Sequence, residues 1–172
     1  SGTTDDAEYN VALGTTALDA ITTGDMNTAV GYAALTSNTT GVRNTAYGYD
    51  ALYTNGAGGF NVAIGFQTLR SNTSGGSNTT IGYASLYSNT NGQGNASLGP
   101  YSLYSSTESH YNTAIGSYSL QDANRTSDDD GYNTALGYNA GNTGTNDVTT
   151  GNKNTLLGAS TAASAAAGTN QS

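Results

Sequence analysis

The sequence predicts an all-β fold, a parallel β-solenoid (β-roll) of nine coils, and three observations support it. An Asn-centred tandem repeat occurs nine times in the 172 residues. More than half of the residues are Gly, Thr, Asn or Ser, which are mostly poor helix formers. Apolar residues make up only 35%, below the roughly 45–50% of ordinary domains. Such a composition fits a repeat architecture in which each coil buries few side chains.

The repeat unit has the approximate consensus N-T-A-φ-G-Y-x-A-L-Y-S-N-T-x-G-x-x, where φ is apolar, and its residues are numbered here as positions 1 to 17. The first seven copies begin 17 residues apart, and the last two follow at spacings of 21. Position 1 is always Asn, and this recurrence predicts a ladder of side-chain amides that are hydrogen-bonded from coil to coil. The alternative is a row of exposed, ligand-binding amides. The residues are Asn10, Asn27, Asn44, Asn61, Asn78, Asn95, Asn112, Asn133 and Asn154.

Position 5 is Gly in every copy. A phosphate-binding loop would need a following Lys and a helix, so the recurrence predicts a tight corner that only Gly can occupy. The residues are Gly14, Gly31, Gly48, Gly65, Gly82, Gly99, Gly116, Gly137 and Gly158.

Each coil is predicted to contain two short strands joined by turns. The stretch N-T-A-I-G-Y reads as the first strand, and residues around the position-9 Leu, such as 85–88, read as the second. Segments such as 37–41 are turn material. Alternation leaves two packing arrangements open. A narrow coil could bury Leu with the position-3 Ala and leave position 4 and the Tyr residues to pack between chains, or position 4 could lie inside.

The predicted domain organisation has three parts. Residues 1–9 form an N-terminal segment that is a candidate inter-subunit contact, and residues 10–161 form the solenoid. An Ala/Ser-rich tail occupies residues 162–172. Gly141 and Ala162 replace the position-9 Leu in the last two copies, which predicts a cap or a change in cross-section.

Charge and composition disfavour several classes of function. The net charge is −8, with only four Lys and Arg residues, so no nucleic-acid partner is expected. No apolar run approaches the ~18 residues of a membrane helix, and no membrane insertion is expected. The chain has no Cys and a single His, His110. Because such side chains are common catalytic and metal-ligating groups, the chain is predicted not to be an enzyme and not to use a metal or cofactor.

Two further groups of residues are candidate sites. Asn38, Asn72 and Asn124 lie in N-glycosylation sequons in equivalent turns, which indicates a row of glycans. The position-10 residues Tyr53, Tyr87 and Tyr104 are candidate contacts for assembly or for a sugar, because tyrosine offers a large apolar ring and a hydroxyl.

The copies at residues 27–32 and 112–116 resemble two known kinds of repeat. One is the A-I-G β-roll repeat of trimeric autotransporter adhesin heads, and the other is the N-T-A-x-G-Y repeat of phage and algal-virus fibre proteins. The resemblance covers residues 10–161. It implies an extracellular location on a cell surface, secreted filament or virion, and self-association into a fibre or trimer.

The leading functional prediction is an extracellular structural protein, the subunit of a fibre or filament, oligomeric and glycosylated. One alternative is a binding module that recognises a receptor or glycans, as an adhesin head or a viral tail-fibre shaft. A third is an ice-binding solenoid, suggested by a partial Thr row at position 2.

Overall fold

The computed structural model describes residues 7–123, 131–142 and 153–162. It confirms the predicted fold class, because the described residues form a parallel β-solenoid with no helix among them. Nine strands of three residues each make one sheet in chain order. The strands are β1 (Val11–Leu13), β2 (Thr28–Val30), β3 (Thr45–Tyr47), β4 (Val62–Ile64), β5 (Thr79–Ile81), β6 (Ala96–Leu98), β7 (Thr113–Ile115), β8 (Thr134–Leu136) and β9 (Thr155–Leu157).

The register places identical repeat positions on top of each other. Thr28 pairs with Thr45 and Ala29 with Ala46, and every strand runs parallel to the next. The same register continues across both 21-residue spacings, where β7 pairs with β8 and β8 with β9. The four additional residues in each long repeat therefore leave the sheet uninterrupted.

The prediction of a second strand in each coil is wrong. All seven position-9 Leu residues have φ between 47 and 54°, in the left-handed region, and Ala33 at position 7 has φ 52°. The backbone here forms turns and is not extended. It still forms hydrogen bonds between coils, such as the one from the Leu35 N–H to the Ala51 carbonyl at 3.0 Å. The left-handed conformation costs about 1–2 kcal/mol for each Leu. Burial of the Leu side chain contributes about 1.5–3 kcal/mol, which offsets that cost.

The core is a narrow stack of Leu and Ala rows, and this decides between the two packing arrangements. Leu52 at position 9 and Ala46 at position 3 are completely buried. Tyr47 and Ile64 at position 4 point to the other side of the three-residue strands and are exposed. A coil of 17 residues thus encloses Leu together with Ala, and position 4 lies outside.

The last coils change the shape of the core by exchanging a large residue for a small one. Gly141 replaces the position-9 Leu of coil eight, and Leu156 replaces the position-3 Ala of coil nine. A Cβ on Gly141 would approach both Leu120 and Leu156. The Leu120 and Leu156 side chains therefore fill the space that Gly141 leaves, consistent with the predicted change in cross-section.

Candidate assembly and binding surfaces

The position-1 Asn residues form the predicted ladder inside the solenoid. The Asn44 Oδ1 atom accepts hydrogen bonds from the backbone N–H and the Nδ2 of Asn61, at 3.0 and 3.1 Å. The Asn61 Nδ2 also donates to the Gly75 carbonyl at 2.9 Å, within its own coil. The Oδ1 contacts recur from Asn10 to Asn154. These amides are committed to the fold, so they are not the exposed ligand-binding row of the alternative interpretation.

A second Asn ladder, which was not predicted from the sequence, occupies position 12. The Nδ2 of Asn55 donates to Asn38 Oδ1 at 2.8 Å, and Asn72 and Asn89 continue the chain at 2.7 Å. Each of the four Nδ2 groups also donates to the carbonyl three residues further on. The sequence signal that could have predicted this ladder is the recurrence of Asn at position 12 of four consecutive copies.

This second ladder overturns the glycosylation prediction for Asn38 and Asn72. Both side chains are completely buried, and the Nδ2 atom of each, where a glycan would be attached, donates hydrogen bonds within the fold. A glycan would need space around the side chain, which the interior of the coil does not provide, and it would be attached to the Nδ2 atom that already donates hydrogen bonds. Asn124 lies outside the described residues.

The position-5 glycines form the predicted corners. Their φ values run from 122 to 139°, a range that residues with a Cβ atom rarely adopt. A Cβ added to Gly65 would collide with the carbonyl group of Gly82 in the next coil. The glycines therefore permit both the corner and the close spacing of the coils.

One side of the solenoid carries an apolar face, defined here as the row of position-4 side chains. Leu13, Ile81 and Leu157 at position 4 are 67%, 37% and 72% exposed. The other exposed position-4 residues are Tyr47, Ile64, Leu98, Ile115 and Leu136.

The position-6 aromatic rings form a separate row. The rings of Tyr32, Tyr49, Phe66 and Tyr83 stack on each other with centroids 4.9–5.2 Å apart.

The position-10 tyrosines lie in a second row and are joined through Arg70. The Arg70 guanidinium lies over the ring of Tyr53 at 4.7 Å and over that of Tyr87 at 6.0 Å, and Tyr87 stacks on Tyr104 at 5.2 Å. Burial alone would lower the pKa of Arg70, but the hydrogen bond to Asp50 and the nearby Tyr87 raise it above its usual value. The Arg70 Nε donates to Asp50 Oδ2 at 3.1 Å.

A cleft of about 570 Å³ lies across the first four coils, between the position-6 rings and the position-10 row. Its walls include Tyr32, Tyr49 and Tyr53, and its charged groups are Asp19, Asp50 and Arg70. Further along the solenoid the position-7 residue Tyr101 occupies the corresponding space. Its ring contacts both Tyr83 and Tyr104, at 5.2 and 5.6 Å.

Metal-binding clusters and membrane spans are both missing from the described ranges. Within residues 7–123, 131–142 and 153–162, no three His, Cys, Asp or Glu side chains could together hold a metal ion. The same ranges contain no helix that is long and apolar enough to cross a membrane. His110 is half-buried, and its Nδ1 accepts a hydrogen bond from the Gln93 N–H at 3.2 Å.

Comparisons with known proteins return no match. No protein-family model matches the chain, and neither the curated proteins nor the solved structures contain a detectable match. What this chain does must therefore be inferred from its own residues and their contacts.

Proposed function

We propose that this chain is a structural protein of an extracellular fibre or filament, in which solenoids associate with further copies of themselves. The observation that carries the proposal is the apolar face. Apolar patches of more than a few hundred Å² are rare on monomeric soluble proteins and mark interaction surfaces. Here every coil from Leu13 to Leu157 carries a large apolar or aromatic side chain at position 4, and all of them are exposed except the half-buried Val30.

A second copy of the chain is a suitable partner for this face. The rows repeat with the spacing of parallel strands, about 4.8 Å, so the ridges of one copy can pack between the ridges of another. The position-4 row carries no charged residue in any of the nine coils, which removes the desolvation cost that charged groups would add to its burial.

Electron microscopy of the purified protein, together with analytical ultracentrifugation, tests this proposal. We expect fibres or a discrete oligomer whose mass is a multiple of 17.3 kDa. A monomer that persists at about 100 μM, a concentration at which even weak association is detectable, would contradict it. Mass spectrometry of the same material reports whether Asn124 carries a glycan.

The alternative function, a module that binds a glycan or a receptor, is supported by the cleft across the first four coils. Ice binding has less support. Exposed or half-buried Thr residues lie at position 2 of β2, β3, β5 and β7–β9, but Val62 and Ala96 interrupt the row. A thermal hysteresis measurement tests that alternative, and absence of activity would remove it.

A further inference from the structure

We propose that the cleft across the first four coils binds a neutral hexopyranose unit of an oligosaccharide. This inference goes beyond the structural role and holds whether or not the solenoids assemble. The volume of the cleft, about 570 Å³, falls within the roughly 300–1,000 Å³ of small-molecule sites. Its lining is mostly polar and includes the rings of Tyr32, Tyr49 and Tyr53.

The first feature of the site is a free aromatic face on Tyr32. The row of stacked position-6 rings begins at this residue, which packs on Tyr49 with a centroid distance of 4.9 Å and an interplanar angle of 14°. In coil one the same position is Thr15, so no ring of the described residues covers the other face of Tyr32. Thr16 and Asp19 of coil one line the cleft together with Tyr32. The C–H face of a pyranose ring can pack on the uncovered face of Tyr32 as an apolar group does.

The second aromatic wall is Tyr53. Arg70 covers one face of this ring at 4.7 Å. The neighbour on the other side, in coil two, is Thr36, which lines the cleft. Tyr32 and Tyr53 therefore each lack an aromatic neighbour on the coil-one or coil-two side among the described residues, whereas further along Tyr87 and Tyr104 stack on each other.

The polar groups are held in place before any ligand binds. Asp50 is nearly buried, with its side chain 8% exposed, and its Oδ2 accepts from Arg70 Nε at 3.1 Å and from Gln67 Nε2 at 3.5 Å. Both bonds reach Oδ2, which leaves Oδ1 to accept from a sugar hydroxyl. Asp19 at the rim adds a second carboxylate.

The charges favour a neutral sugar over an acidic one. Arg70 is the only cation that lines the cleft, and it is paired with Asp50, while Asp19 adds a negative charge. The whole chain carries a formal charge of −8. Uronic and sialic acids would therefore be repelled, whereas a hexose supplies hydroxyl donors that match the carboxylates.

Saturation-transfer NMR and calorimetry test the site with maltotriose, cellotriose and chitotriose, and with a glucuronic-acid trimer for comparison. We expect at least one neutral trisaccharide to bind with a dissociation constant of about 0.1–5 mM, an affinity reasonable for a shallow cleft. The glucuronic-acid trimer should give no signal. Failure of all three neutral sugars to bind, or preferential binding of the acidic trimer, would overturn the proposal.

Three variants locate the binding. Tyr32→Val should lower the affinity for the sugar about fivefold, because it removes one aromatic contact. Asp50→Asn should lower the affinity about tenfold, because it removes a charge-assisted hydrogen bond. Asn tolerates the left-handed φ of 53° at this residue. The matched control is Tyr138→Val, since Tyr138 is an exposed ring at the same repeat position outside the cleft. Equal losses in Tyr32→Val and Tyr138→Val would place the sugar elsewhere and overturn the assignment.

Discussion

Asn89 and Ser106 occupy position 12 of consecutive coils, and the Oδ1 of Asn89 and the Oγ of Ser106 are both buried without a hydrogen-bond partner. The second Asn ladder ends here because the Ser side chain is too short to continue it. Buried polar atoms without partners are costly, so this junction is a weak point in the solenoid.

Extending the ladder should stabilise the protein. In Ser106→Asn a new Nδ2 can donate to Asn89 Oδ1, as Asn89 itself donates to Asn72. We expect the free energy of unfolding to rise by about 1 kcal/mol, the net value of one hydrogen bond, measured by denaturant titration. Ser88→Asn, at a half-buried position next to the ladder, is the control. A destabilisation in Ser106→Asn alone would show that the longer side chain does not fit.

Reversing one donor in the first ladder should be strongly destabilising. Asn61→Asp replaces an Nδ2 that donates to Asn44 Oδ1 and to the Gly75 carbonyl with an acceptor, and it buries a charge. We expect a loss of about 3–5 kcal/mol at neutral pH, measured by thermal or chemical unfolding. Protonation of the carboxyl would restore a donor, so part of the loss should be recovered as the pH falls.

The control for that experiment is Asn91→Asp. Asn91 is exposed, and its Oδ1 accepts from Thr73 and Ser74, a role that a carboxylate can keep. Its stability should change by no more than about 0.5 kcal/mol. A loss as large as that of Asn61→Asp would mean that charge alone, and not the ladder, determines the effect.

The corner glycines should not tolerate a side chain. Gly65→Ala forces φ near 139° on a residue with a Cβ and drives that Cβ into the Gly82 carbonyl. We expect a loss of about 2–3 kcal/mol or more. In Gly56→Ala the nearest atom to the added Cβ would be 3.7 Å away, and stability should change by about 0.5 kcal/mol or less. Circular dichroism melting curves compare the two variants, and equal losses would argue against the corner explanation.

Charges on the apolar face should prevent self-association. In the double variant Ile81→Lys/Leu98→Lys, two exposed position-4 side chains become cations that repel the same residues of another copy. We expect the sedimentation coefficient to fall to that of a monomer, while the circular dichroism spectrum stays unchanged. Thr40→Lys/Asn91→Lys places the same charges on exposed residues of another side. Assembly that survives in the first variant, or fails in both, would contradict the proposed contact.

The repeat in the sequence was sufficient to predict the solenoid, the Asn10–Asn154 ladder and the position-5 corners, because each depends on a residue type that recurs in every copy. The second strand was predicted wrongly because Leu and Ala give no sign of a left-handed backbone, which is imposed here by closing a 17-residue coil. Which apolar row lies inside depended on coil width, and a period-two pattern is compatible with both choices.

The candidate sites were less predictable than the fold. Asn38 and Asn72 satisfy the sequon rule, but the three-dimensional stacking of position 12 buries them. The cleft at Tyr32 and Tyr53 depends on which neighbouring copies lack an aromatic ring, so it results from differences among the repeats. A consensus sequence does not show those differences.

The in-register stacking of one short strand per coil also determines how the protein would respond to a pulling force. When the two ends are pulled apart along the stacking axis, the load falls on inter-coil hydrogen bonds that act in series. An end coil then detaches before its neighbour is disturbed. Each detached coil of 17 residues would release about 55 Å of chain. Such a molecule would lengthen in small, equal steps under tension and absorb work at each one, instead of breaking in a single event.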